Sequence, residues 1–191
     1  MTNSESQKLE SIIDLATLLS RQNDYEEILR VVAQKAASLL QADAAALMMI
    51  NPQTRETVKT IFKHDGKTKD RKQRQVQIYV SGWIIKNKQA FASAEITVDK
   101  RFPKSVFKNI EPVAVLGVPL VTENVVLGTL ILLRDKPATS VLENDLTFLN
   151  KFTAVVTPFL RNVQKIQQYF EPPIRKETLL QKYADLGLLG R

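Results

Sequence analysis

The chain of 191 residues contains no cysteine. That absence excludes a disulfide scaffold, a thiolate metal site, a catalytic thiol and thioether attachment of a tetrapyrrole, and it fits a reducing compartment. Histidine occurs once, as His64, so a Ser-His-Asp triad and a multi-histidine metal centre both lack parts. The carboxylates are scattered without the pairing that metal ligation or acid–base chemistry needs. None of the six glycines belongs to a Gly-x-x-x-x-Gly-Lys phosphate loop, so no ATPase signature is present. Enzyme activity, a metal and a cofactor are therefore not expected. No apolar run approaches the roughly 20 residues of a membrane span, and the first residues are polar, with no charged-then-apolar leader. A cytoplasmic protein with no membrane partner is the expectation.

What the chain does have is enough apolar material, 44% of residues, for an ordinary single-domain core. It also has an uneven charge. Lys and Arg exceed Asp and Glu by 27 to 20, and residues 63–75 hold six of the cations against Asp65 and Asp70. With no apolar residue from His64 to Gln75, this stretch reads as a solvated loop. A nucleic-acid site is the alternative, although no aromatic in the run offers a base a stacking surface, and direct DNA contact is not expected.

The apolar periodicity gives the elements. Residues 9–19 place Leu9, Ile12, Ile13, Ala16 and Leu19 on one helical face. Asp24 followed by Glu27 has the spacing of a capping box, ahead of a stripe of Ile28, Leu29, Val32, Ala36, Leu39 and Leu40. Residues 42–50 and 56–62 read as a hairpin broken at Asn51-Pro52. Residues 76–80 read as a short strand, Ser81-Gly82 as the opening of a short helix over 83–87, 96–98 as extended, and Pro103 as the start of a helical turn. Residues 113–121 and 125–133 are two branched, apolar runs around Thr122-Glu-Asn124, which is the pattern of a hairpin at the middle of a sheet. Ser140 with Glu143 repeats the capping-box spacing before a last helix.

That last helix carries Leu149, Phe152, Val156, Phe159, Val163, Ile166 and Phe170 at alternating separations of three and four, a heptad seam, with Pro158 as an expected kink. One face must cover the sheet in any monomer. The seam nevertheless outruns a sheet of short strands, so Leu149, Phe152, Val156, Phe159, Val163 and Ile166, joined by Leu9 and Ile12 of the first helix, are expected to pair with a second copy of the chain.

Several stretches in this order resemble the GAF domain family over residues 9–169: Ser81-Gly-Trp-Ile-Ile85, Asp99-Lys-Arg-Phe102, the "VPL … GxL" pattern within 113–133, and Val141-Leu-Glu-Asn-Asp-Leu146. The resemblance implies an α+β fold: a central antiparallel sheet of five or six strands, terminal helices on one face, and a loop-covered pocket on the other. It implies a ligand set of Phe62, Ser81, Gly82, Trp83, Arg101, Phe102 and Phe107. The competing readings are core packing for the aromatics and an ion pair to Asp99 for Arg101. The cyclic-nucleotide motif Asn-Lys-x-Phe-Asp is absent. Residues 179–191 resemble the entry into the AAA+ domain of sigma-54-dependent transcriptional activators. The expected organisation is a disordered lead over 1–7, a sensory domain over 8–170, and a linker with the start of a downstream domain over 171–191. The function implied is a dimeric sensory module that transmits an unidentified effector to that ATPase. An interaction module without a ligand, for example of a histidine kinase, is the alternative.

Overall fold

The helix over Tyr25–Leu39 begins where the Asp24 carboxylate, on extended backbone, accepts a hydrogen bond from the Glu27 N–H at 2.9 Å. The Glu27 carboxylate does not return the bond but pairs with Arg30 at 2.5 Å, so only half of the capping box forms. The computed structural model describes residues 3–22, 24–54, 56–64, 70–136 and 143–170. Among these, the helices are α1 (Asn3–Arg21), α2 (Tyr25–Leu39), α3 (Asp70–Asn87) and α4 (Glu143–Phe170). The strands are β1 (Ala44–Ile50), β2 (Thr57–His64), β3 (Phe91–Ser93), β4 (Ala114–Thr122) and β5 (Val125–Arg134). All pair antiparallel in one five-stranded sheet of order β2-β1-β5-β4-β3.

The β4–β5 hairpin lies where the sequence places it. Glu123 and Asn124 at its tip both have positive φ, 49° and 63°, the conformation that a two-residue turn needs to match strand twist. Side-chain parity then sorts the core. Ala45, Leu47, Met49, Leu116, Val118, Leu130 and Leu132 join the buried faces of α1, α2 and α4. Ala44, Val115, Ile131 and Leu133 point the other way, into a second cluster with Val76, Val80 and Ile84 of α3. With both faces covered, β4 and β5 are apolar almost without alternation. Strand β3 pairs only with Val115–Gly117 of β4, and Pro119 lies beyond it, where β4 has no strand on that side among the described residues.

Three expectations are corrected. Helix α1 starts at Asn3, so the lead over 1–7 is partly helical; its polar residues add turns to a helix that Ile12, Leu15 and Leu19 anchor in the core. Residues 76–80 are helix, not strand, because Val76, Val80 and Ile84 recur at the four-residue interval that lays one helix face on the sheet. Of the basic run, residues 63–64 belong to β2 and residues 70–75 to α3, and residues 65–69 lie outside the described residues. Residues 96–98 form a turn of 3-10 helix. Pro158 lies inside α4, as the sequence has it, and leaves the Ala154 carbonyl without its usual donor. The capping role of Ser140 falls outside the described residues.

Candidate functional site

The layer between α3 and the sheet holds the polar and aromatic groups that packing alone does not require. Helix α3 approaches closely at Gly117, where a Cβ would stand 2.6 Å from Ile84 Cδ1. One half of the layer is a buried polar chain. Ser81 Oγ and Thr129 Oγ1 share a hydrogen bond of 2.8 Å, and Gln77 Nε2 donates to Ser81 Oγ at 3.1 Å and towards Met48 Sδ at 3.4 Å. Gln77, Ser81 and Thr129 are each at most 3% exposed. Their mutual bonds offset the cost of removing them from water.

The other half is aromatic. Trp83 meets Phe91 edge-on at 5.4 Å, Phe91 meets Phe102 at 5.8 Å, Phe102 meets Phe107 at 5.2 Å, and Tyr79 meets Phe107 at 5.9 Å. Arg101 closes this half. Its guanidinium lies 3.7 Å from the centre of the Phe91 ring and 5.3 Å from that of Trp83, a cation–π arrangement. It donates to Asp99 from Nε at 2.9 Å and Nη2 at 2.6 Å, and to the Ala92 carbonyl at 2.5 Å. Burial pushes the Asp99 carboxyl up, but hydrogen bonds from the Arg101 guanidinium, Ser93 and the Arg101 N–H outweigh it and hold the group below its usual range.

Of the residues expected to bind a ligand, Trp83, Arg101, Phe102 and Phe107 come together here. Ser81 is present in a different role. It sits inside α3 rather than at its start, so its N–H belongs to the helix and its hydroxyl serves Thr129. Gly82 faces solvent, with nothing within 4 Å of where a Cβ would be. Arg101 forms the ion pair with Asp99 that was the alternative reading. Phe62 lies in β2 opposite Ala46, and its side chain is outside the described residues. Sequence reasoning missed Gln77, Thr129 and Met48. The signal for the first was its i, i+4 relation to Ser81; Thr129, a lone hydroxyl in an apolar run, was also visible.

The residues expected between copies are placed differently. Leu149, Phe152 and Val156 are wholly buried in the chain's own core, and Ile12 nearly so, because the seam is the face with which α4 covers the sheet. Leu9 is 41% exposed, Phe159 and Val163 are half-buried, and the Ile166 side chain is outside the described residues. Among the described residues no His, Cys, Asp or Glu cluster could hold a metal, and no helix is long and apolar enough to cross a membrane.

This arrangement, a five-stranded antiparallel sheet between a three-helix layer and a single helix with flanking loops, has its counterpart among known proteins. The sequence model of the GAF domain matches residues 24–157. The chain belongs to the GAF domain family. Solved structures agree on the GAF fold. The GAF domain of a phosphoenolpyruvate-protein phosphotransferase from Coxiella burnetii superposes with a TM-score of 0.64 at 14% identity, covering 87% of this chain and 99% of that one. The corresponding Acinetobacter domain gives 0.61 at 13%, covering 87% and 98%. Free methionine-R-sulfoxide reductase from Neisseria meningitidis, solved with its substrate, gives 0.64 at 11%, covering 87% and 95%. Comparison with curated proteins returns no match. GAF domains are mainly regulatory and sensory modules, found in kinases, phosphotransferases and chemotaxis proteins. The reductase shows that the same fold also serves an enzyme.

Proposed function

We propose that this GAF domain senses a small molecule or a partner on its α3 side and passes the outcome through α1 and α4 to a downstream AAA+ ATPase that controls sigma-54-dependent transcription. One observation carries the reading: α3 and α4 press on opposite faces of the same strand, β4. Val115 of β4 belongs to the α3 cluster, while its neighbour Leu116 belongs to the cluster that holds Leu149, Phe152 and Val156 of α4. A ligand that repositions α3 is felt one strand-thickness away, provided that it binds one arrangement better than the other. The link to an ATPase rests on the likeness of residues 179–191, which lie outside the described residues.

The output is a helix pair shared between two copies. Leu9 at 41%, Ile13 at 66%, Leu18 at 49% and Val155 at 36% are the exposed apolar residues of α1 and α4 that support this; with half-buried Phe159 they take the place of the buried seam. Light scattering on a sizing column should give a dimer, and Ile13→Glu with Val155→Glu should give a monomer. An unchanged mass removes the pairing. For the ligand, a thermal-shift screen of nucleotides, amino acids, carboxylates and 2-oxo acids is the test, since a binder at 100 times its Kd adds about 2.7 kcal/mol.

A second reading has its own support. The rings of Trp83, Phe91, Phe102 and Phe107 touch one another in sequence, which suits a GAF module that binds partners and no small molecule. Stabilisation by none of the four classes favours it.

A further inference from the structure

Residues 63–111 contain twelve Lys or Arg against five Asp or Glu, an excess of seven that equals the net charge of the whole chain. The remainder is neutral. Of this segment, α3 and the loop through residue 110 pack together on one side of the sheet. The loop after η-turn residues 96–98 runs antiparallel along α3: Arg101 lies over Trp83, Phe107 against Tyr79, and Gln75 Nε2 donates to the Val106 carbonyl at 2.5 Å. Lys86 and Lys88 at the end of α3, and Lys100, Lys104 and Lys108 on the loop, are all exposed. The acids here are largely engaged, Asp99 with Arg101 and Glu95 with Thr97. On the outward side of α3, Ile78 is 63% exposed and Tyr79 44%, and Val98 beside Lys100 is 69% exposed.

We propose that this face is a peripheral docking surface for an anionic lipid bilayer. The argument is charge complementarity combined with the outward apolar side chains. A nucleic acid would satisfy the lysines but offers a phosphate backbone to Ile78. A bilayer interface takes both, with lysines among anionic headgroups and Ile78 and Tyr79 at the level where aliphatic and tyrosine side chains settle. Helix α3 lies flat on the sheet, so its outward side meets a plane along its length. The opposite face, with α1, α2 and the exit of α4, stays free for output. The absence of a spanning helix bears on insertion, not on this contact.

The test is flotation of the full chain with vesicles of phosphatidylcholine, with and without about 30% phosphatidylglycerol, in low salt and then at about 0.5 M, where the Debye length falls to a few ångströms. Binding is expected only to the anionic vesicles and is lost at high salt. Ile78→Asn should lower the partition coefficient about tenfold, and Lys104→Gln with Lys108→Gln about 30-fold, both with an unchanged thermal midpoint because these residues are exposed. The lysine pair keeps the test decisive if Ile78→Asn fails to fold. Failure to float with anionic vesicles, equal binding to neutral ones, or insensitivity of a folded Ile78→Asn variant together with displacement by duplex DNA would each overturn the proposal.

Discussion

Replacing Gly128 with alanine would place a methyl group 2.0 Å from the Met48 carbonyl oxygen and 3.1 Å from Met49 Cα. A carbon and a carbonyl oxygen rest comfortably at about 3.3–3.6 Å, so more than about an ångström is missing. Both obstacles are backbone of β1, which β2 holds on its other side. The strain therefore has no flexible side chain to absorb it, and relief requires widening a strand spacing of about 4.8 Å. Overpacking of this kind costs about 1–3 kcal/mol, and lost ladder bonds add about 1 kcal/mol each. The expected loss is about 3 kcal/mol or more, from a total of about 5–15 kcal/mol. At this chain length that lowers Tm by about 6–12 °C. Gly82→Ala is the matched control. Its Cβ meets nothing within 4 Å on the solvent side of α3, and removing a glycine from a helix interior should add about 0.5–1 kcal/mol. Urea denaturation followed by circular dichroism reads both. A Gly128→Ala protein within about 1 kcal/mol of the parent, or a Gly82→Ala protein weakened by that much, would refute the β1–β5 register or the helical reading of α3.

Thr129→Val leaves the buried Ser81 hydroxyl with only the bond it accepts from Gln77 and should cost about 1–3 kcal/mol, while adding Ser81→Ala should recover part of it, giving a non-zero coupling in a double-mutant cycle by urea melts. Asp99 has a folded pKa below its unfolded one. Its contribution to stability is therefore complete above the unfolded pKa, about 3.9, and is lost as pH falls through the folded value; Asp99→Asn should flatten the acid limb of a stability–pH curve. Tyr25 is 6% exposed, its hydroxyl has no partner among the described residues, and burial pushes its pKa up to about 12. Tyr25→Phe should stabilise by about 1 kcal/mol. It should also remove a loss of stability that begins as pH rises past 10, the unfolded phenol's value, because only the unfolded state ionises readily there.

The sheet was the legible part of this chain. Runs of β-branched and leucine residues over 114–122 and 125–134 can be satisfied only by burial on two sides, and Asp24 announces α2 in its own side chain. Helix α3 was not legible because its first turns are entirely polar, and Val76, Ile78 and Val80 alternate like a strand. The structure breaks that alternation: Val76 and Val80 are buried while Ile78 is 63% exposed. Only the longer interval to Ile84 separates the two periods. The site was half legible. The aromatics and Arg101 were visible as residue types, but their engagement with one another depends on how the loop folds back along α3. The heptad of α4 was read correctly as a pattern, yet a pattern does not say which surface it meets. Leu149, Phe152 and Val156 meet the chain's own sheet.

Pro119 has a consequence for how the molecule can associate. A foreign strand arriving at the margin of β4 beyond Gly117 would find there a residue with no amide proton to offer and a rigid ring where the backbone should bend to it. Fibril-like growth is thereby disfavoured at that border, leaving the β2 margin as the sheet's other edge among the described residues.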